Sequence, residues 1–155
     1  MTPFGFAFAP DGNLIVSEAF GGAADSSALS SYDVGRRGVL TPISSSVGTT
    51  ETAACWVVVT GDGAFAYTTN TGSGSVSGYA IEPDGSLTLL DADGVTGTTG
   101  AGPIDLALTD DDAFLYTLDA GDDQITGSSV AADGSLANVD TFGGLPSSSV
   151  GLAAS

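Results

Sequence analysis

The fold of this chain is decided by two stretches that share one sequence pattern, Cys55–Asn70 (CWVVVTGDGAFAYTTN) and Ile104–Asp119 (IDLALTDDDAFLYTLD). A third copy, Phe4–Ala19 (FGFAFAPDGNLIVSEA), precedes them, and the aspartates in the three central turns recur 51 and 49 residues apart. Apolar residues alternate with small or polar ones on both sides of each turn, which is the pattern of two antiparallel strands. The sequence therefore repeats one strand–turn–strand unit three times.

A second landmark follows in each repeat. The glycines Gly38, Gly85 and Gly134 lie 47 and 49 residues apart, each in a turn between two further alternating segments. Four antiparallel strands repeated every ~45–50 residues are typical of a β-propeller blade. We therefore predict an all-β fold, with about three four-stranded blades of an incomplete β-propeller ring.

The repeats divide one partial propeller domain, 1–155, into blades at about 3–52, 53–102 and 103–144. The last segment, about 146–154, echoes the opening of an innermost strand. It is read either as a trailing C-terminal strand or as a frayed tail, because its serine run forms strands poorly.

Composition supports this class and excludes several functions. The 155 residues include 23 glycines and 6 prolines, a density of chain breakers that is incompatible with a helical bundle. The net charge is −17, and Arg36 and Arg37 are the only basic residues. Nucleic acid and anionic membrane surfaces are therefore poor partners, since both require clustered cations.

The chain has no histidine and one cysteine, Cys55, and this restricts the catalytic and metal sites that it can form. A Ser-His-Asp triad and an intramolecular disulfide are impossible within this chain, and no metal site or cofactor is expected. Cys55 aligns with apolar residues and is read as a buried small hydrophobe. No apolar run approaches the ~20 residues of a spanning helix, and no signal peptide is recognisable, so the compartment stays undecided with the cytoplasm slightly favoured.

The segment Tyr67–Asn70 (YTTN) matches three of the four letters of the YVTN repeat. Together with SEAFGG (17–22) and GPIDLAL (102–108), it resembles the lactonase-type seven-bladed β-propellers, a group of 6-phosphogluconolactonase-like and carboxymuconate-cycloisomerase-like proteins. The resemblance implies three C-terminal blades of a ring that hydrolyses a sugar lactone such as 6-phosphogluconolactone. A fragment of this size is expected to be inactive alone.

Propeller geometry brings the entrance of each innermost strand and the end of each second strand to one mouth of the central channel. At this mouth we expect Glu18, which an ungapped alignment of the repeats matches to Thr69 and Leu118. A partly desolvated carboxylate suits a general acid or base, and Glu18 is our candidate catalytic residue. The alternative is a structural carboxylate bonded to backbone amides of a neighbouring turn.

Four further residues are expected to contact substrate at the mouth, each with a structural alternative. Asp105 and Asp119 can instead be solvated or cap turns, and Asn70 can cap the turn that follows its strand. Trp56 can stack on a sugar or pack in the core. The expected substrate-binding residues are Trp56, Asn70, Asp105 and Asp119.

The fold alone does not select a function, because propellers serve many. The leading prediction is a lactonase fragment that acts on a small-molecule lactone, and the alternative is a non-catalytic scaffold for binding or assembly. Three blades leave two blade faces open. We therefore expect either self-association or pairing with an N-terminal partner chain that completes the ring.

Overall fold

Tight turns join the alternating segments into three antiparallel sheets in the computed structural model, which describes residues 2–155. Blade 1 contains β1 (Pro3–Phe8), β2 (Leu14–Glu18), β3 (Ala28–Val34) and β4 (Leu40–Gly48). Blade 2 contains β5 (Ala54–Val59), β6 (Phe65–Asn70), β7 (Ser75–Ile81), β8 (Leu87–Leu89) and β9 (Gly97–Thr98). Blade 3 contains β10 (Pro103–Leu108), β11 (Phe114–Asp119), β12 (Gln124–Val130) and β13 (Leu136–Gly143). The predicted all-β fold of partial propeller blades is confirmed.

Each sheet follows chain order, so neighbouring strands are also neighbours in sequence. The outer edge of blade 2 departs from the simple four-strand pattern, because its fourth strand is split. Both β8 and β9 pair with β7, and residues 90–96 loop out between them.

Two apolar clusters fill the spaces between the sheets. Ile15 and Leu29 of blade 1 pack against Val57 and Tyr79 of blade 2. Tyr67 of blade 2 packs against blade 3 in a second cluster that includes Val76, Leu106 and Leu115. The sheets thus stack face to face, with the innermost strands β1, β5 and β10 side by side.

The first hairpin turn is one residue shorter than the other two. In blade 1 the Ala9 N–H donates to the carbonyl of Asn13, whereas the corresponding bonds of blades 2 and 3 span one residue more, from Thr60 to Phe65 and from Thr109 to Phe114. The shorter turn shifts every residue of β2 by one position relative to β6 and β11.

This shift corrects the ungapped alignment of Glu18. Glu18 pairs with Pro3, just as Asn70 pairs with Ala54 and Asp119 pairs with Pro103. Glu18 is therefore equivalent to Asn70 and Asp119, and its alignment with Thr69 and Leu118 is wrong.

The C-terminal segment has no strand. Residues 144–155 are irregular, with a turn in which the Ser149 N–H donates to the Pro146 carbonyl. The tail lies against blade 3, where Leu145 N–H donates to the carbonyl of Asp123 and Leu152 N–H donates to Asp105. Of the two readings of 146–154, the structure shows an irregular tail. Among residues 2–155, no helix has the length and apolar character needed to cross a membrane.

Candidate functional site at the channel mouth

The carboxylate of Glu18 is enclosed within blade 1. Glu18 is 1% exposed, and its two oxygens accept hydrogen bonds from the hydroxyls of Ser30 at 2.7 Å and Ser46 at 2.5 Å. Both donors are side-chain hydroxyls of the same blade, not the backbone amides of a neighbouring turn. The catalytic role of Glu18 stays a prediction, and the contacts shown are those of a residue that joins β2 to β3 and β4.

The two equivalent residues make the same kind of contact. The Asn70 amide donates to the hydroxyls of Ser75 and Ser77, and Asp119 accepts from the Thr126 hydroxyl at 2.5 Å. Both Asn70 and Asp119 are fully buried. The strand-end position of every blade therefore holds a buried polar side chain bonded to hydroxyls of the next strand.

Additional bonds anchor Asp119 and the chain beyond Asn70. Asp119 also accepts from the Thr117 hydroxyl and from the Gly100 N–H, both at 2.9 Å. The Asn70 backbone carbonyl accepts from the N–H groups of Ser73 and Gly74, so this carbonyl closes the turn after β6.

Sequence reasoning missed the hydroxyl partners on the third strands. Ser30, Ser77 and Thr126 are separated by 47 and 49 residues, the same spacing as the three turn glycines. That spacing was available in the sequence, and it would have marked the hydroxyls as part of the repeat.

Trp56 and Asp105 are the two predicted residues that stay accessible. They occupy the same position of the adjacent innermost strands β5 and β10, one residue after Cys55 and Ile104 respectively. Trp56 is 41% exposed, and Phe4 packs edge-on against its ring at a centroid distance of 5.9 Å. Asp105 is partly buried. An aromatic ring can stack on a sugar ring, and a carboxylate can accept hydrogen bonds from sugar hydroxyls.

Backbone groups hold Asp105 in place. One carboxylate oxygen accepts from its neighbour Leu106 N–H and the other from the tail residue Leu152 N–H, both at 2.8 Å. A carboxylate oxygen has two lone pairs, so each can accept a further hydrogen bond from a ligand.

The third innermost strand carries glycine at this position. A Cβ atom on Gly5 would lie 2.7 Å from both the Cys55 carbonyl oxygen and the Trp56 Cα. The absence of a side chain on Gly5 therefore lets β1 approach the backbone of β5 closely at Cys55 and Trp56. Cys55 itself is buried, and burial raises the pKa of its thiol, as expected for a core residue rather than a nucleophile.

The two cations lie away from the mouth. Arg36 and Arg37 belong to the turn between β3 and β4, at the opposite end of blade 1 from Glu18. Within residues 2–155, His, Cys, Asp and Glu side chains form no group of three or more that could hold a metal ion.

The three antiparallel sheets, stacked face to face with their innermost strands side by side, define the class as an incomplete β-propeller. The family model described as lactonase, 7-bladed beta-propeller, matches residues 6–141, and the chain belongs to this family. None of the curated proteins compared with the chain matches it.

Solved structures share this fold. A protein from Lactobacillus plantarum superposes with a TM-score of 0.80 at 22% identity, covering 96% of this chain and 43% of that one. A periplasmic gluconolactonase from Pseudomonas aeruginosa gives 0.71 at 20% identity, covering 94% and 43%. A Bacteroides fragilis protein, named as a candidate 6-phosphogluconolactonase, gives 0.73 at 18% identity, covering 89% and 38%. The chain thus spans about two fifths of the length of these structures.

Proposed function

We propose that this chain supplies three blades of a propeller that binds and hydrolyses a sugar lactone. Membership of the lactonase family supports the reaction class. The observation that carries the site is that Trp56 and Asp105 occupy equivalent positions of the neighbouring innermost strands β5 and β10 and both remain accessible. Trp56 stacks on the sugar ring, and Asp105 accepts hydrogen bonds from its hydroxyls.

The charge distribution favours a lactone without a phosphate. A phosphate group is usually held by Arg, Lys or a helix N-terminus. The two arginines of these blades lie at the far end of blade 1, and the chain carries a net charge of −17. A neutral lactone such as glucono-δ-lactone therefore suits this part of the site better than 6-phosphogluconolactone.

Hydrolysis requires a group that activates water or protonates the leaving oxygen. Glu18 is our proposed acid–base residue by position, although it is buried beneath Ser30 and Ser46. Asp105 is the accessible carboxylate. We expect the 155-residue chain alone to bind lactone without turning it over, because the remaining wall of the channel is needed to enclose the substrate.

The test uses Trp56, the single tryptophan of the chain, as a fluorescent reporter. Titration with glucono-δ-lactone should change its emission, and Asp105→Asn should weaken binding by about tenfold, the value of one charge-assisted hydrogen bond. Asp110→Asn is the matched control, because this exposed aspartate lies in the hairpin at the other end of β10. Proton release in unbuffered solution measures turnover of the same samples.

A non-catalytic scaffold is the second candidate, favoured by the burial of Glu18, Asn70 and Asp119 in structural networks. Unchanged fluorescence at saturating lactone, together with no turnover by a completed ring, would support the scaffold and exclude the lactone site.

A further inference from the structure

The innermost strand of blade 2 contains a β-bulge at its mouth end, and Trp56 lies in this bulge. Two residues of β5, Cys55 and Trp56, lie opposite a single residue of β6, Thr69. A bulge interrupts the regular hydrogen bonding of the strand pair and redirects the side chains that it carries, and bulges are common beside active sites. The direction of the Trp56 side chain therefore depends on what holds the bulge.

Two buried hydroxyls hold the backbone of the bulge, one from each of two blades. The Ser17 hydroxyl of blade 1 donates to the Cys55 carbonyl, and its oxygen accepts from the Gly5 N–H at 2.9 Å. The Thr68 hydroxyl of blade 2 donates to the Trp56 carbonyl at 2.9 Å. Ser17 and Thr68 are fully buried, so water does not compete for these hydrogen bonds.

The two carbonyls belong to the peptide groups on either side of the Trp56 Cα atom. A peptide group is planar, so the backbone of a residue has only two soft dihedral angles, φ and ψ. When both flanking peptide groups are held, φ and ψ of Trp56 are fixed, and these angles set the direction of its Cα–Cβ bond. The hydroxyls of Ser17 and Thr68 therefore control the direction in which the indole leaves the strand.

Blade 1 restricts the indole ring itself. A Cβ built on Gly5 would lie 3.1 Å from the Cε3 atom of Trp56, so the ring lies against the backbone of Gly5. The ring of Phe4 packs edge-on against the indole. These contacts limit rotation of the ring once the backbone of the bulge is fixed.

The neighbouring residue Thr69 provides an internal comparison. Thr68 and Thr69 are both fully buried, and adjacent residues of a strand point to opposite faces of the sheet. The Thr69 hydroxyl has no hydrogen-bond partner among residues 2–155, whereas the Thr68 hydroxyl is bonded to the bulge. The two threonines thus differ in hydrogen bonding at equal burial.

We propose that Ser17 and Thr68 are positioning residues that hold the Trp56 indole at the channel mouth in the orientation that stacks on a sugar ring. Both hydroxyls are buried, so they act through the backbone of β5 and not by contact with the sugar. The role in stacking rests on the proposed lactone site, whereas the effect on the orientation of the indole requires no ligand.

The test compares Thr68→Val with Thr69→Val in the 155-residue chain. Each substitution replaces a buried hydroxyl by a methyl group of similar size, but only Thr68→Val removes a hydrogen bond of the bulge. The near-UV circular dichroism band of Trp56, the single tryptophan, reports how rigidly the indole is held. Thr68→Val should lose most of this band, and Thr69→Val should retain it.

Two further variants separate positioning from a general loss of stability. Thr68→Ser keeps the hydroxyl and should retain the tryptophan band, which a loss of packing alone would not predict. Ser17→Ala removes the bond to the Cys55 carbonyl and should weaken the band as Thr68→Val does. Far-UV circular dichroism confirms that each variant is folded, and Ser17→Ala decides the outcome if Thr68→Val is not.

Titration of the same samples with glucono-δ-lactone measures the consequence for binding. Thr68→Val should weaken binding about fivefold, because a mobile indole must be ordered when the sugar stacks on it. Thr68→Ser and Thr69→Val should bind the lactone as the wild type does.

A tryptophan band that Thr68→Val and Ser17→Ala leave unchanged, or that Thr69→Val weakens equally, would overturn the proposal. A weakened band with unchanged lactone affinity would overturn the role in stacking. A wild-type chain that binds no lactone would instead exclude the proposed lactone site, and the dichroism of the variants would still decide whether the two hydroxyls orient Trp56.

Discussion

Single polar residues at the ends of the second strands hold each blade together from within. Glu18, Asn70 and Asp119 occupy one structural position, are each at most 1% exposed, and contact hydroxyls of the third strand. A buried carboxylate without a cation is stable only when hydrogen bonds satisfy its oxygens. Ser30 and Thr126 of the third strands supply some of these bonds, and Ser46, Thr117 and the Gly100 N–H supply others.

The first prediction concerns Glu18→Gln. An amide cannot accept from both Ser30 and Ser46 as the carboxylate does, so the free energy of unfolding should fall by about 1–3 kcal/mol. Thermal or urea unfolding measures the change. Glu82→Gln, the same substitution at an exposed position, serves as the control and should leave stability unchanged.

Turnover of a completed ring should be measured on the same Glu18→Gln protein. A loss of at least ~100-fold at unchanged stability would establish Glu18 as the acid–base group. Normal turnover at reduced stability would limit Glu18 to a structural role.

The turns between the third and fourth strands of blades 2 and 3 each contain an aspartate that accepts hydrogen bonds from within the same turn. In the β7–β8 and β12–β13 turns, Asp84 accepts from the N–H and hydroxyl of Ser86, and Asp133 accepts from those of Ser135. These bonds favour the ionised form and lower the pKa of both aspartates. The turns should therefore be weakest in acid.

The second prediction concerns how the stability contributed by Asp133 changes with pH. Because the folded-state pKa lies below the ordinary value of about 4, each carboxylate stabilises the fold above that pH and loses this contribution as the pH falls further. The stability difference between wild type and Asp133→Ala should therefore shrink between about pH 5 and pH 2.

Unfolding at each pH in 1 M NaCl isolates this difference from the general charge repulsion. Asp110→Ala is the control, because Asp110 is exposed and lies outside both of these turns. A difference between wild type and Asp133→Ala that is constant from pH 7 to pH 2 would contradict the assignment.

Whole-molecule electrostatics oppose the compact state. The 155 residues include nineteen acidic side chains and two basic ones, which gives a net charge of −17. Such repulsion destabilises the folded chain and any association of two copies.

The third prediction is that NaCl stabilises the protein. Raising the concentration from 0.05 to 1 M shortens the screening length to ~3 Å and should raise the melting temperature. A variant with Asp25→Asn and Asp110→Asn, both exposed, should show a smaller salt dependence because its net charge is lower. A melting temperature that stays flat or falls with salt would contradict the charge argument.

The length of the first hairpin turn could not be predicted from the repeats. The alternating strands and the recurring turns identified all three blades, because side-chain alternation and turn chemistry are local properties. The first hairpin is closed one residue earlier than the others, and this single difference moved Glu18 to the position of Asn70 and Asp119. Sequence spacing cannot show which residue pair closes a turn when both choices leave the apolar alternation plausible.

The sequence by itself determined the class and the family, because the strands and turns repeat along the chain at a nearly constant period. Only the tertiary structure decided which polar residues are accessible. Glu18 and Asp119 are enclosed by hydroxyls of neighbouring strands, whereas Trp56 and Asp105 remain at the channel edge. The physical reason is that burial depends on partners supplied by other strands and by the C-terminal tail, far away along the chain.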